Sequence, residues 1–373
     1  MQRLKRSKVV LLKCREISIS KVQNALEEGL EFLGGIGRFF KKGEKIILKP
    51  NLLAADPPET ATCTHPSVFE ATARILKKFG AEVMYGDSPC LHPPLRALKR
   101  SGLLEVAERL HLTPADFEQS RRVYYGEAKQ NRVFEIAEGV FNADGIISLP
   151  KLKTHGFTLL TCAIKNQFGC IPGMAKSGYH AKLEELEQFS QMLVDLTMLL
   201  KPRLYIMDGI IAMEGNGPRR GNPVELGALL ISQDPVAMDA VASQLVGVEP
   251  ERIMTTLKGH ESRAGTMLDF ELIGNEISEI KRKIALPTDG RGFHSMPLFI
   301  RRGLKRLMVH APVIQYKRCT GCLECHRICP SNPKSIVIRD DGFPMHVYRT
   351  CIRCYCCQET CPEGAIILKR KIF

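Results

Sequence analysis

The sequence predicts an α/β fold, a mainly parallel layered sheet with helices on both faces, followed by a small α+β domain at the C-terminus. Three observations carry this reading. Short apolar runs alternate with helical patterns through the first 280 residues, and most of those runs are apolar throughout, as strands covered on both faces must be. Cysteines crowd the tail, nine of the 14 lying between Cys319 and Cys361.

In order along the chain, "KVVLLKC" reads as a strand, and "ISKVQNALEEGLEFL" has helical spacing behind a Ser cap. "EKIILKP" is a second strand closed by Pro50. "HPSVFEATARILKKFG" is a helix with a Gly stop that leads at once into the strand "AEVMYGD". Further strands fall at "ADGIISL", "RLYIMDG" and "GALLIS", and helices at "LEELEQFSQMLVDLTMLL" and "PVAMDAVASQLVG". After residue 280 the alternation stops. The expected organisation is an α/β domain over 1–280, a basic linker over 281–315 and a cysteine-rich domain over 316–373. Within the linker, Leu298 to Val309 reads as a helix laying Leu304, Leu307 and Met308 on its own protein.

At 373 residues, with 44% hydrophobic and 25% charged residues, the chain can bury a sizeable core. The net charge of +13 is unevenly spread: 35 basic against 34 acidic residues over 1–280, 8 against 1 over 281–315, and 10 against 5 over 316–373. A neutral large domain argues against a protein that coats nucleic acid. The basic linker and tail suit an acidic redox partner, donor or acceptor. The apolar run at the N-terminus, Val9 to Leu12, is too short for a signal peptide, and no stretch approaches the ~18 apolar residues of a transmembrane segment. The expected location is cytoplasmic, where thiols are metal ligands more often than disulfides. Cys14, Cys63, Cys90, Cys162 and Cys170 read as small buried hydrophobes.

The tail carries Cys319, Cys322, Cys325 and Cys329 before Pro330, then Cys351, Cys354, Cys357 and Cys361 before Pro362. Each run is Cys-x2-Cys-x2-Cys-x3-Cys-Pro. Zinc also takes four cysteines, but usually as two pairs with a longer gap. Three evenly spaced cysteines plus a Cys-Pro, duplicated, resemble a bacterial two-cluster ferredoxin domain. That resemblance implies two 4Fe-4S clusters with crossed ligation, one held by Cys319, Cys322, Cys325 and Cys361, the other by Cys351, Cys354, Cys357 and Cys329. Cys356 is read as a bystander beside Cys357.

Upstream, "KPNLL", "THP", "GDSP", "PKLKTH", "AIKNQFGCIPG", "MDGIIAMEGNGP" and "DPVAMDAVA" resemble the domain of unknown function 362 family across residues 8–280. Members of that family often carry a ferredoxin-type tail, and no general activity is established for it. Several of these motifs close strands, and open α/β sheets bind ligands beyond the carboxyl ends of their strands. The candidate catalytic residues are Lys151, Lys153 and His155, placed on one side of an extended segment by alternation, with Lys165 and Asn166 closing over the same space. Such a cluster suits a carboxylate, a phosphate or a charge that develops during reduction. Tyr179, His180, Asp208 and Glu214 are further acid–base candidates. No Gly-x-Gly-x-x-Gly follows the first strand and no Gly-x4-Gly-Lys-Ser/Thr occurs, so neither common nucleotide loop is present. The expected function is an iron–sulfur oxidoreductase fed by its ferredoxin-type tail and acting on an anionic small molecule. The alternative is a non-enzymatic electron-transfer adaptor that docks a partner protein.

Overall fold

A computed structural model of the chain describes residues 6–89, 93–173, 175–183, 185–287 and 311–369. The large domain is built on one ten-stranded sheet. Its strands are β1 (Ser7–Lys13), β2 (Lys45–Pro50), β3 (Glu82–Tyr85), β4 (Thr113–Pro114), β7 (Gly145–Leu149), β8 (Lys151–His155), β9 (Leu159–Thr161), β10 (Leu204–Asn216), β11 (Arg220–Ser232) and β12 (Phe270–Gly274), while β5 (Ser120–Tyr124) and β6 (Val133–Ala137) form a separate hairpin. The main order is β12-β1-β11-β10-β7-β2-β3-β4, with β8 and β9 branching from β10. Pairing is parallel from β10 through β7, β2 and β3 to β4, and antiparallel where the β10–β11 hairpin enters.

Alternation along the strands explains the two covered faces. Val10 and Leu12 point into one core and Val9 and Leu11 into the other; Ile206 and Met207, and Leu229 and Leu230, split the same way. One core includes Val22, Leu26 and Leu30 of the helix Ile19–Phe32 and Val68, Phe69 and Leu76 of the helix Pro66–Phe79. On the other face lie Pro235–Leu245 and Leu186–Leu200. The caps follow local chemistry. His65 accepts from Ser67 N (3.1 Å) ahead of Pro66, Gly80 closes that helix at φ 95°, and Asp234 accepts from Val236 N and Ala237 N at 2.8 and 2.9 Å. Ser18 occupies the expected cap position of the first helix but makes no side-chain capping bond.

Two expected boundaries shift. The large domain runs past 280, because Ile280 and Ile284 are buried and Ala285 exchanges hydrogen bonds with the β10 end: Gly215 N donates to Ala285 O (2.7 Å) and Ala285 N to Glu214 Oε2 (2.9 Å). The tail domain begins before 316, since β13 (Ala311–Ile314) pairs antiparallel with β16 (Ile366–Lys369). A second small ladder joins β14 (Ile336–Ile338) to β15 (Pro344–His346), and short helices span Glu324–Ile328 and Cys356–Thr360. The linker helix expected over Leu298–Val309 lies outside the described residues, as does Cys90.

The β10–β11 hairpin reaches the tail. Arg219 is bidentate to Asp56 (2.8 Å twice) and donates through Nη1 to Thr360 O at 2.9 Å. Arg220 donates to the carbonyls of Cys361 and Pro362.

Candidate functional site

At the carboxyl ends of β2 and β3 a cleft with about 810 Å³ of empty space opens between the large domain and the second cysteine run. Its floor is a buried polar network. Lys49 Nζ donates to Asp87 Oδ1 (2.9 Å) and to Pro50 O (3.0 Å), and both side chains of that ion pair are out of solvent. Asp87 also accepts from Leu52 N (2.7 Å) and Ser88 N (2.9 Å), so its charge is satisfied. Gly169 is glycine for a physical reason: a Cβ there would strike the Asp87 carboxylate and lie 2.6 Å from Lys49 Nζ. Asn166 donates to Ser148 Oγ (2.9 Å) beside Gln167, which donates to the same hydroxyl at 2.8 Å.

Lys153, His155, Lys165 and Asn166 all line the cleft. Lys151 does not. Lys151 is the direct partner of Asp208 where β8 pairs with β10, and its Nζ donates to Asp208 Oδ2 (2.7 Å) in a fully buried ion pair. Lys151 is therefore structural: it holds an aspartate that also accepts from His65 N (2.8 Å). Among the acid–base candidates only His180 lines the cleft. Tyr179 stacks on Phe134, Asp208 serves Lys151, and Glu214 accepts from Ala285 N.

The electrostatics follow from burial among cations. His155 Nδ1 accepts from Phe157 N (3.0 Å) and Thr158 N (3.3 Å), which leaves the ring proton on Nε2. Burial, then Lys165, His180 and Lys153, hold His155 well below the usual imidazole range. Burial, followed by Lys165, pushes His180 down to about 3. Lys153 Nζ donates to Thr62 O (2.5 Å), Lys176 to Ser88 O, and Lys165 lies 5.2 Å over the Phe168 ring. The short helix bearing Lys165 and Asn166 is fixed at its start by Asp239, which accepts from Ala163 N (2.6 Å) and Ile164 N (3.2 Å) and is pushed up to about 8 by burial.

Sequence reasoning missed Asn51, Ser88, Lys176, Arg219, Cys356 and Thr360, all in the cleft lining. Asn51 follows β2 directly and Ser88 comes three residues after β3, in the polar strand-end motifs, which was the available signal. Cys356 and Thr360 could not be found that way, because they reach the cleft from the tail domain.

The cysteines of the two runs lie close together. Cys319, Cys322, Cys325 and Cys361 line one cavity of about 330 Å³ with Ile314, Leu323 and Ile366. Burial and then the neighbouring Cys361 push the Cys325 thiol up to about 12. Burial pushes Cys351 up to about 11, with Cys354 and Cys329 acting in the same direction, and it raises Cys357 beside the same group. Buried thiols that oppose one another's ionisation need a strongly cationic group between them to become ligands. Each set brings four thiols together, the number that one 4Fe-4S cluster takes. The residues present fit the expected iron–sulfur groups.

Fold and cysteine pattern together define an iron–sulfur protein whose α/β domain opens a polar cleft. Residues 46–244 match the domain of unknown function (DUF362) and residues 311–362 match the 4Fe-4S dicluster domain, so the chain belongs to the DUF362 family and carries a 4Fe-4S-binding tail. It is 34% identical over 248 residues to the thylakoid-associated protein sll1697 of Synechocystis sp., covering 66% of this chain and 77% of that one. Among solved structures, the lactate racemase apoprotein of Thermoanaerobacterium thermosaccharolyticum aligns with TM-score 0.42 at 10% identity over 64% of this chain, and a Thermotoga maritima protein with TM-score 0.33 at 11% identity over 60%. The chain spans 57% of each of these two. No helix among the described residues is long and apolar enough to cross a membrane.

Proposed function

We propose that the protein is an iron–sulfur oxidoreductase that exchanges electrons with an anionic small molecule bound at the strand ends of the large domain. Two 4Fe-4S clusters, held by the crossed sets of cysteines, would supply or accept electrons one at a time. The observation that carries this reading is the shared wall: Cys356 and Thr360, from the run that contains ligands Cys354, Cys357 and Cys361, line the same cleft as Lys153, His155 and Lys165. The chain's own residues have separate tasks. Lys153, Lys165 and Lys176 attract and orient the anion, neutral His155 offers an Nε2 proton, and Arg219 holds the tail against the cleft. The working compartment is proposed to be the cytoplasm, where nine cysteines between 319 and 361 stay reduced.

The test uses anaerobically prepared protein, reduced and then mixed with a panel of organic carboxylates and phosphates while the cluster absorbance is followed. At least one anion should reoxidise the clusters, and Lys165→Ala and His155→Ala should abolish that step with the resting cluster spectrum intact. Reoxidation that is indifferent to both substitutions would remove the cleft from the reaction and leave an adaptor that passes electrons to a partner protein.

A further inference from the structure

We propose that the cleft takes a hydroxylated organic anion, whose hydroxyl groups pair with Asn51 Oδ1, Thr161 Oγ1 and His180 Nδ1 while its carboxylate or phosphate faces Lys153, Lys165 and Lys176. The inference rests on the anion-site reading and names the ligand class of that site. Of the twelve buried side-chain atoms without a hydrogen-bond partner among the described residues, three belong to residues that line this cleft: Asn51 Oδ1, Thr161 Oγ1 and His180 Nδ1. Thr161 is 3% and His180 6% exposed, so neither side chain is served by bulk solvent. Folded proteins pair nearly all their buried polar groups, and three orphans that share one cleft are what a bound ligand's polar edge would satisfy.

The chemistry of the three atoms narrows that edge. An amide oxygen only accepts, so the ligand must bring a donor; the threonine hydroxyl and a neutral imidazole nitrogen take either role. A ligand carbonyl or ether oxygen cannot donate to Asn51. An ammonium donates, but it would sit among the lysines that hold the anion. A hydroxyl satisfies every partner and carries no charge. Leu52, Leu53, Pro89 and Phe168 supply apolar wall for the carbon skeleton.

Matched ligands measure the claim. Anaerobic titration calorimetry on the full-length, cluster-loaded protein would compare glycerate with propionate, and glycerol 3-phosphate with propyl phosphate. Within the pair whose head group fits, the hydroxylated member should bind about tenfold more tightly. The responding pair also identifies the head as carboxylate or phosphate. Thr161→Val should cut the preference several-fold without changing the affinity of the hydroxyl-free member, and Thr161→Ser should keep it. A merely structural role for Thr161 would weaken both members alike. Equal affinities within each pair in the wild-type protein, a result independent of how any variant folds, overturn the hydroxyl claim and leave the anion site standing. No binding by any of the four ligands overturns both, whereas failure of cluster reoxidation with these pairs still distinguished would overturn only the redox reading.

Discussion

The two cysteine runs have the same spacing and the same local shape, yet opposite surroundings. In each, a residue in the left-handed region precedes a five-residue helix, Leu323 (φ 58°) before Glu324–Ile328 and Tyr355 (φ 62°) before Cys356–Thr360. Around the first run Lys317, Arg318, Thr320, Cys322 and Arg327 are exposed. Around the second, Arg353, Tyr355, Cys356, Cys357, Gln358 and Thr360 are buried. Equivalent positions have diverged accordingly: Glu324 pairs with Arg327 near solvent, whereas Cys356 forms part of the cleft wall. A duplicated motif thus presents one face outward, where a redox partner can reach it, and one inward to the candidate ligand site.

The sharpest way to break this contrast is to remove one thiol from each run. Cys322→Ser and Cys357→Ser should each lower bound iron from about eight atoms to about four, but only Cys357→Ser should also loosen the cleft, seen as proteolysis near residue 356. Equal proteolysis in both would mean that the inward packing does not depend on the second run's ligands. Next in size is Arg219→Ala. It strands Asp56 and frees Thr360 O, at a cost of about 2 kcal/mol in urea unfolding. Hydrogen exchange should rise over 351–362 while 319–329 stays unchanged. Acid should act in the same place. The unfolded chain protonates His180 below about pH 6.5, while the folded ring resists until about 3. On its account stability is lost as pH falls through that window, by about 2 kcal/mol at pH 5, with no further contribution from this ring above pH 7. His180→Phe, which can keep the stack on Phe189, should remove about 2 kcal/mol of the loss at pH 5 and leave the part that His155 contributes in the same direction; an unchanged profile would shift the effect to other groups. The smallest effect belongs to Cys356→Ala and Glu324→Ala. Both should retain the full iron content, and loss of the exposed Glu324–Arg327 pair should cost only a few tenths of a kcal/mol. Iron loss in Cys356→Ala would make that thiol a ligand.

Much of this was legible in the sequence because the signals are local. Cysteine spacing is a covalent pattern, so the 4Fe-4S-binding tail could be read from eight positions. Apolar strands and their polar ends gave the sheet and placed Lys153, His155, Lys165 and Asn166 where the cleft lies. Lys151 lies outside the cleft because Asp208, brought by the partner strand, takes its ammonium, and alternation along one strand carries no sign of that. Cys356 as cleft wall and Arg219 as clasp were illegible for a related reason: each acquires its role from a surface that arrives from more than a hundred residues away.

The hairpin tip that grips the tail does so through main-chain oxygens of Thr360, Cys361 and Pro362. Carbonyls are common to every amino acid. The seam between the two halves can therefore survive drift at positions 360 and 362, and evolutionary pressure on attachment should concentrate on Arg219, Arg220 and Asp56, leaving the rim of the tail free to adapt to whichever redox protein the host supplies.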